Sequence, residues 1–228
     1  MSRYRWFHVE WPVSIRTISS RIKARAFDEN STHGFVVDRV RDDYLDARYV
    51  ERIEYTETIM DPFGKELSFP RVEFRQCIFR ASIQYPGLEL IDAPRSAQGL
   101  LNRLSEVTDF EAAINGLNVN VIAWADALKN SLGISPLVDS LQIGSLEIES
   151  GISVKAVIKG NRDVREACLA LIGNRKYTME KVQLRLLSPC QGTVVLTNTG
   201  SAKIEADDPS DMLKNALRHS IKEVTSKI

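Results

Sequence analysis

Residues 72–91 read VEFRQCIFRASIQYPGLELI, and residues 96–107 read SAQGLLNRLSEV. Two sets of side chains alternate along residues 72–80, which is typical of a β-strand, and Tyr85-Pro86-Gly87 predicts a turn into a returning strand. The second stretch predicts a helix capped by Ser96. Its apolar stripe consists of four residues: Leu100, Leu101, Leu104 and Val107. Together the two stretches predict a β-hairpin followed by a helix that covers one face of the hairpin.

The same hairpin–helix motif recurs twice. Residues 141–149 and 152–158 predict a second hairpin, followed by a helix over residues 163–172, and residues 179–187 and 193–197 predict a third. A last helix is predicted to open at Asp208-Pro209. The fold class is therefore α+β, with antiparallel hairpins each followed by a helix in a two-layer packing that leaves the second sheet face for a partner. We predict two domains, residues 1–117 and 118–228.

The remaining elements follow from alternation, caps and turns. Predicted in chain order are a strand over residues 4–11, a helix capped by Ser14 and ending near Ala26, strands over residues 34–38 and 49–58, a turn at Asp61-Pro62-Phe63-Gly64 that folds the chain back over residues 66–81, a short strand over residues 118–122, and a helix starting at Trp124 that Gly133 and Pro136 terminate.

Composition excludes several classes of protein. The longest apolar runs are far shorter than a bilayer span, and the N-terminus lacks a signal-peptide core, so we expect no membrane association. The odd, widely spaced Cys77, Cys168 and Cys190 argue against a disulfide framework and fit a reducing cytoplasm. The three histidines lie far from each other and from the cysteines, so neither a metal site nor a cofactor is predicted.

The zero net charge conceals a local asymmetry. Up to Ala26, Glu10 opposes six basic residues: Arg3, Arg5, Arg16, Arg21, Lys23 and Arg25. The charged residues of segment 28–61 are mostly acidic. One interpretation is a basic surface for nucleic acid, for which Arg16, Arg21, Lys23 and Arg25 are candidates. The other is that the two segments neutralise each other across the fold or across a subunit interface.

No common enzyme motif is present: the chain lacks the serine-hydrolase, phosphate-loop and zinc-protease patterns. Glu147, Glu149 and Lys155 have the order of a nuclease-type acidic pair followed by a lysine on adjacent strands. Alternating charges on the solvent face of a hairpin give the same pattern. Residues 42–46 lack the glycine and the glutamate of a calcium loop.

A second group of basic residues surrounds the predicted helix of residues 163–172. It consists of Arg162, Arg165, Arg175, Lys176, Lys181 and Arg185. Because side chains alternate along a strand, Lys181 and Arg185 are predicted to point the same way.

Several short motifs resemble, in order, those of RdgC, a bacterial family of recombination-associated DNA-binding proteins. They are Trp6-Phe7, Ala26-Phe27 with Gly34-Phe35-Val36, Phe69-Pro70-Arg71 with Arg75, the stretch from Asp163-Val164-Arg165-Glu166 to Asn174-Arg175-Lys176, and the strands over residues 182–187 and 193–197. This chain is shorter, and residues 49–66 replace a long charged helical segment of that family.

The resemblance implies a non-enzymatic protein that dimerises into a ring, encloses double-stranded DNA without reading its sequence and restrains a recombinase. By matching motifs, Arg71 and Arg75 would lie at the base of a hairpin near the subunit contact or the DNA path. Arg175 and Lys176 would lie in a turn that approaches phosphates. The replaced segment puts closure of a ring in doubt.

Three hypotheses for function remain. The first is a cytoplasmic homodimer that binds duplex DNA, or acts beside a DNA-processing or defence complex, without catalysis. The second is a protein-interaction subunit of a phage-defence or mobile-element system, which would use the free sheet face and the acidic residues 38–61. The third is a metal-dependent nuclease using Glu147, Glu149 and Lys155.

Overall fold

The structure is a computed structural model in which residues 1–187, 191–206 and 211–225 are described. The described residues contain five helices and eleven strands, which confirms the mixed α+β class. The helices are α1 (Ile15–Lys23), α2 (Gln98–Val107), α3 (Val121–Leu132), α4 (Arg165–Ile172) and α5 (Asp211–Thr225). The strands are β1 (Ser2–Val9), β2 (His33–Val40), β3 (Tyr44–Met60), β4 (Glu66–Ser82), β5 (Gly87–Ile91), β6 (Ile114–Gly116), β7 (Leu137–Glu149), β8 (Ile152–Lys159), β9 (Tyr177–Leu186), β10 (Gly192–Thr197) and β11 (Ser201–Glu205). None of these helices combines the length and the apolar character needed to cross a membrane.

The chain divides into two compact units. Unit 1 comprises Met1–Val9 and Asn115–Ile228, and unit 2 comprises Glu10–Ile114. The predicted boundary after residue 117 falls close to this division. The predicted N-terminal domain differs from unit 2 in residues 115–117 and in its first nine residues, which belong to unit 1 because β1 pairs with β11 near the other end of the chain.

Unit 2 has the strand order β2-β3-β4-β5, with α1 and α2 over one face of the sheet. β3 and β4 pair antiparallel over their whole length, which places Leu45, Ala47 and Tyr49 directly opposite Ala81, Phe79 and Cys77. All six are buried, as are the apolar residues of the two helices: Ile15, Ile18, Ile22, Leu100, Leu104 and Val107. The hydrophobic core of unit 2 therefore lies between this sheet face and α1 and α2.

The turn between β3 and β4 confirms a sequence prediction. The Gly64 N–H donates to the Asp61 carbonyl at 3.0 Å, and the Asp61 carboxylate accepts from the Phe63 and Lys65 N–H groups. Gly64 has φ +83, which glycine adopts without steric cost. The strand predicted before the turn, residues 49–58, was too short, because β3 extends over 17 residues. The return predicted over residues 66–81 agrees with β4.

Unit 1 has the strand order β1-β11-β10-β9-β7-β8. One side of this sheet is buried under helices. Trp124 of α3 packs edge-on against Trp6 with ring centroids 5.7 Å apart, and its indole N–H donates to Ser220 Oγ of α5 at 3.0 Å. Residues of β9, β10 and β11 on the same side are buried: Val182, Leu184, Val194, Leu196, Ala202 and Ile204.

Three local predictions need correction. Residues 118–122 were predicted as a strand, but Asn120 caps α3 by accepting from the Ile122 and Ala123 N–H groups, and the apolar residues that follow begin the helix. Ser96 is not the N-cap residue of α2, because Ala97 holds that position, but the Ser96 hydroxyl accepts from the N–H of Gln98, the first residue of the helix, at 3.4 Å. Strand β11 was not predicted. The caps at Ser14 and Gly133 are confirmed, whereas the predicted helix start at Asp208-Pro209 lies outside the described residues.

Candidate nucleic-acid interface

The side of the unit 1 sheet that faces away from the helices carries polar and basic side chains. Along β9, Val182, Leu184 and Leu186 are buried, whereas Lys181 and Arg185 are exposed. The prediction that Lys181 and Arg185 point the same way is therefore confirmed.

Strand register extends this arrangement to the neighbouring strands. Lys181 lies opposite Thr197, which lies opposite Ser201, and Ser201 lies opposite Arg5. A second row crosses the sheet through Gln183, Val195, Lys203 and Arg3, and it continues on the other side through Ser140 to Lys159. Because directly opposite residues of antiparallel strands share a face, basic side chains from four strands lie on one surface. We call six of them the basic face: Arg3, Arg5, Lys159, Lys181, Arg185 and Lys203.

Among the described residues, two carboxylates form ion pairs with basic groups of this face. Glu205 forms an ion pair with Lys203, and Asp139 accepts from Arg185 Nη2 at 2.8 Å and from its Nε at 3.0 Å. A third carboxylate, Glu180, lies at the β7–β9 bulge and is paired with Lys155 at 3.5 Å. Lys159 and Lys181 form no ion pair within the described residues. The basic face therefore has a net positive charge, with at least two ammonium groups available to an anion.

Arg5 is held differently from the lysines. Its guanidinium lies over the Phe7 ring, 4.7 Å from the centroid, and its Nε is buried with no hydrogen-bond partner in the structure. A cation over an aromatic ring gains electrostatic stabilisation, so Arg5 is oriented by its own strand. The surrounding neutral residues are mostly hydroxyls and amides that can donate to phosphate oxygens: Ser140, Gln142, Gln183, Thr193, Thr197 and Ser201.

The four candidate basic residues of the N-terminal segment lie on or just after α1 in unit 2. Arg16 pairs with Asp42 at 2.6 Å, and Arg21 pairs with Asp109 at 2.9 Å and also donates to the Val107 carbonyl. Arg25 donates to the carbonyls of Arg21 and Glu106. Lys23 is exposed and has no ion pair in the described part of the chain. The three arginines thus contact neighbouring elements of unit 2.

Arg71 and Arg75 lie on β4, where the hairpin extends beyond β2 and β5. Arg71 Nε lies 2.6 Å from Glu57 Oε2, and Arg75 Nε lies 3.2 Å from Glu73 Oε1. Residues 51–75 carry four basic side chains and six acidic ones. This segment is therefore net negative, which disfavours phosphate binding by Arg71 and Arg75.

Arg175 and Lys176 lie in the turn between α4 and β9 of unit 1. Arg175 Nη1 donates to the Leu171 carbonyl at 2.9 Å, so its positive charge lies at the C-terminus of α4, where it stabilises the helix dipole. The Lys176 carbonyl accepts from the Glu147 N–H, and its side chain is exposed. Arg71 and Arg75 therefore belong to a different unit from Arg175 and Lys176.

The nuclease-type residues do not form a compact acidic site. Glu147 lies opposite Ser153 and Glu149 opposite Ile152, whereas the Lys155 ammonium pairs with Glu180. Within the described residues, no group of three or more His, Cys, Asp or Glu side chains is arranged to hold a metal ion. The geometry therefore lends the nuclease hypothesis no support.

The thiols are unsuited to nucleophilic chemistry. Cys77 and Cys168 are free and buried. Burial raises the pKa of the Cys77 thiol to about 12, with a smaller contribution from Glu51, and burial also raises the pKa of the Cys168 thiol. Both stay protonated near neutral pH, and the thiol is a far weaker nucleophile than the thiolate. Cys190 lies outside the described residues.

A cavity of about 540 Å³ lies between α3, α4 and β9 of unit 1. Its walls include Leu141, Cys168, Ile172 and Met179, and Arg165 lies at its margin. The Arg165 guanidinium is bound to Asp163 at 2.9 Å and to Asp126 at 3.4 Å. Its charge is therefore already matched within the chain.

Lys159 and Lys203 were not singled out from the sequence, and Arg3 and Arg5 were grouped with the basic residues of α1 rather than with Lys181 and Arg185. The available signal was strand alternation in β1, where Arg3 and Arg5 alternate with buried Tyr4 and Trp6. Comparison with models of known protein families finds no match, and comparison with curated proteins finds no significant similarity.

Proposed function

We propose that this protein binds double-stranded DNA without catalysis and without reading its sequence, and that the basic face is its DNA-binding surface. The observation that carries the proposal is the gathering of Arg3, Arg5, Lys159, Lys181, Arg185 and Lys203 on one sheet face of unit 1. Lysines and arginines that neutralise phosphates release condensed counterions, and this release supplies most of the affinity of sequence-independent binding.

The arrangement suits a duplex backbone better than base edges. The basic groups are spread over a broad sheet whose other side chains are short hydroxyls and amides, and such groups contact phosphates and sugars. Helices on the other side support this face, in keeping with a two-layer packing that leaves one face for a partner.

The biological setting rests on the resemblance to the RdgC family. It supports a role beside recombination or another DNA-processing or defence complex, with the protein acting as a homodimer. The unpaired, buried cysteines support a location in the reducing cytoplasm.

Fluorescence anisotropy with a labelled duplex at low salt tests the proposal. The wild type is expected to bind unrelated sequences with similar affinity, and Lys181→Glu is expected to weaken binding about tenfold or more, because it reverses an unpaired charge at the centre of the basic face. Lys23→Glu is the matched control: the same change on α1 of unit 2 is expected to leave the affinity within about twofold.

Two outcomes would count against the proposal. If Lys23→Glu weakens binding and Lys181→Glu does not, the DNA contacts lie on α1. If the wild type does not bind at low salt, the hypothesis of a protein-interaction subunit takes precedence.

A further inference from the structure

The distal parts of β3 and β4 form a two-stranded arm, which we define as residues 52–75. β2 pairs with β3 only as far as Glu51, and β5 pairs with β4 only over residues 78–81. Within the described residues of unit 2, no further strand lies beside the arm. An isolated two-stranded ribbon is marginally stable in water, whereas three or more strands with an apolar face are stable.

The arm exposes apolar side chains on both of its faces. Phe63 at the turn is 95% exposed, and six further residues are close to half exposed or more: Tyr55, Ile59, Met60, Phe69, Val72 and Phe74. Apolar side chains so concentrated on a ribbon mark a protein-interaction surface.

Among the described residues, the edge of the arm formed by β3 is open to another strand along its length, whereas the β4 edge is interrupted by a proline. The Arg52 N–H donates to the Thr32 carbonyl at 2.8 Å, so the even-numbered residues of β3 point their backbone groups away from β4. The backbone groups of Glu54, Thr56, Thr58 and Met60 are therefore directed outward. On β4, Pro70 lies opposite Thr56, and because proline has no N–H it blocks the outer edge of that strand.

The charges of the arm are largely matched within it. Arg52 pairs with Glu54 at 2.7 Å, Arg71 pairs with Glu57, and Arg75 pairs with Glu73. To bind a strongly charged partner, these arginines and glutamates would have to give up the ion pairs that they form with one another. A partner surface that is apolar, with most of its charges already in ion pairs, fits the arm best, and the arm of a second copy has that composition.

We propose, resting on the homodimer of the proposed function, that two copies of this chain associate through the outer edges of their β3 strands, which pair antiparallel about a two-fold axis at Thr56. In this register Thr56 faces Thr56 of the second copy, Ile53 faces Ile59 and Tyr55 faces Glu57. A register centred on Glu57 would instead oppose two carboxylates, which is unfavourable. The arms then form one four-stranded sheet with a self-complementary, isologous interface.

Analytical ultracentrifugation of the full chain tests the edge that pairs. The wild type is expected to be a dimer, and Thr56→Pro is expected to weaken association at least tenfold, because it removes an outward N–H that β4 does not use. Ser68→Pro is the matched control, since Ser68 has the same outward orientation on the other strand of the arm. The Ser68→Pro variant is expected to remain a dimer.

Oxidative cross-linking tests the register. Thiols introduced by Thr56→Cys would face each other, with Cα atoms about 5.5 Å apart, within the range of a disulfide. In Thr58→Cys the Cα atoms of the two introduced cysteines would be about 14 Å apart, so they should not cross-link. A monomeric wild type, a Thr56→Pro variant that dimerises normally, or equal cross-linking at the two positions would overturn the proposal.

Discussion

Arg185 and Asp139 form an ion pair in which the carboxylate side chain is only 6% exposed while the guanidinium is 45% exposed. The guanidinium lies on the basic face, but its donors are directed toward a buried acceptor. Arg185 therefore contributes chiefly to the stability of unit 1, whereas Lys159 and Lys181 can contact an anion without breaking an ion pair of the described residues.

Arg185→Ala is expected to lower the free energy of unfolding by about 2–4 kcal/mol, because it leaves the Asp139 carboxylate buried without its partner. Lys181→Ala changes the same strand on the same face but breaks no ion pair in the structure, and it is expected to cost less than about 0.5 kcal/mol. Urea unfolding followed by circular dichroism measures both. Similar losses in the two variants would contradict the assigned role of Arg185.

Gly34→Ala is expected to destabilise unit 2 by about 2 kcal/mol or more, because a Cβ atom at this position would lie 2.6 Å from the Phe27 backbone. Residues 25–27 run beside β2 there, and the Phe35 N–H donates to the Arg25 carbonyl at 3.0 Å. Gly116→Ala is the control, since a Cβ would meet no atom within 4 Å. Thermal unfolding of the two variants checks the expectation, and a normal melting temperature for Gly34→Ala would refute it.

Stability is expected to fall in alkaline solution. Burial raises the pKa of the Cys77 thiol from 9.0 to about 12, and burial with the nearby Glu51 raises the pKa of the Tyr49 phenol from 10.0 to about 12. Both groups favour the folded state fully below their unfolded pKa values. This contribution is lost as the pH rises from about 9 toward 12, because the unfolded chain releases protons that the folded chain retains.

Cys77→Ala isolates the thiol's part of this effect. Between about pH 8 and about pH 10.5 its free energy of unfolding should fall less than that of the wild type, whatever its absolute stability. Urea titrations at the two pH values make the comparison. An equal fall in both proteins would show that the Cys77 thiol is not responsible.

Local features of the fold were predictable because their signals lie close together in the sequence. Ser14 caps α1, Asp61-Pro62-Phe63-Gly64 forms the turn of the long hairpin, and Gly133 ends α3. The residues after Asn118 were wrongly predicted as a strand, because a short apolar segment is compatible with a strand or a helix. In the structure they begin α3, whose first N–H groups are capped by Asn120.

The basic face was predictable only in part. Alternation within β9 was enough to place Lys181 and Arg185 together. Arg3 lies opposite Lys203 because β1 pairs with β11. These two strands are separated by almost the whole chain, and a sequence pattern does not show that they are neighbours. The ion pairs of Arg71 with Glu57 and of Arg75 with Glu73 could not be predicted either, because they depend on side-chain geometry within a long hairpin.

The salt dependence of duplex binding tests most directly whether the basic face contacts phosphates. Each neutralised phosphate contributes about 0.9 to the slope of log Kobs against log salt concentration, so the double variant Lys159→Ala/Lys181→Ala should reduce the magnitude of the wild-type slope by about 2. Circular dichroism of the same protein confirms that the fold is retained. An unchanged slope in the folded double variant would contradict the claim that these two lysines bind DNA.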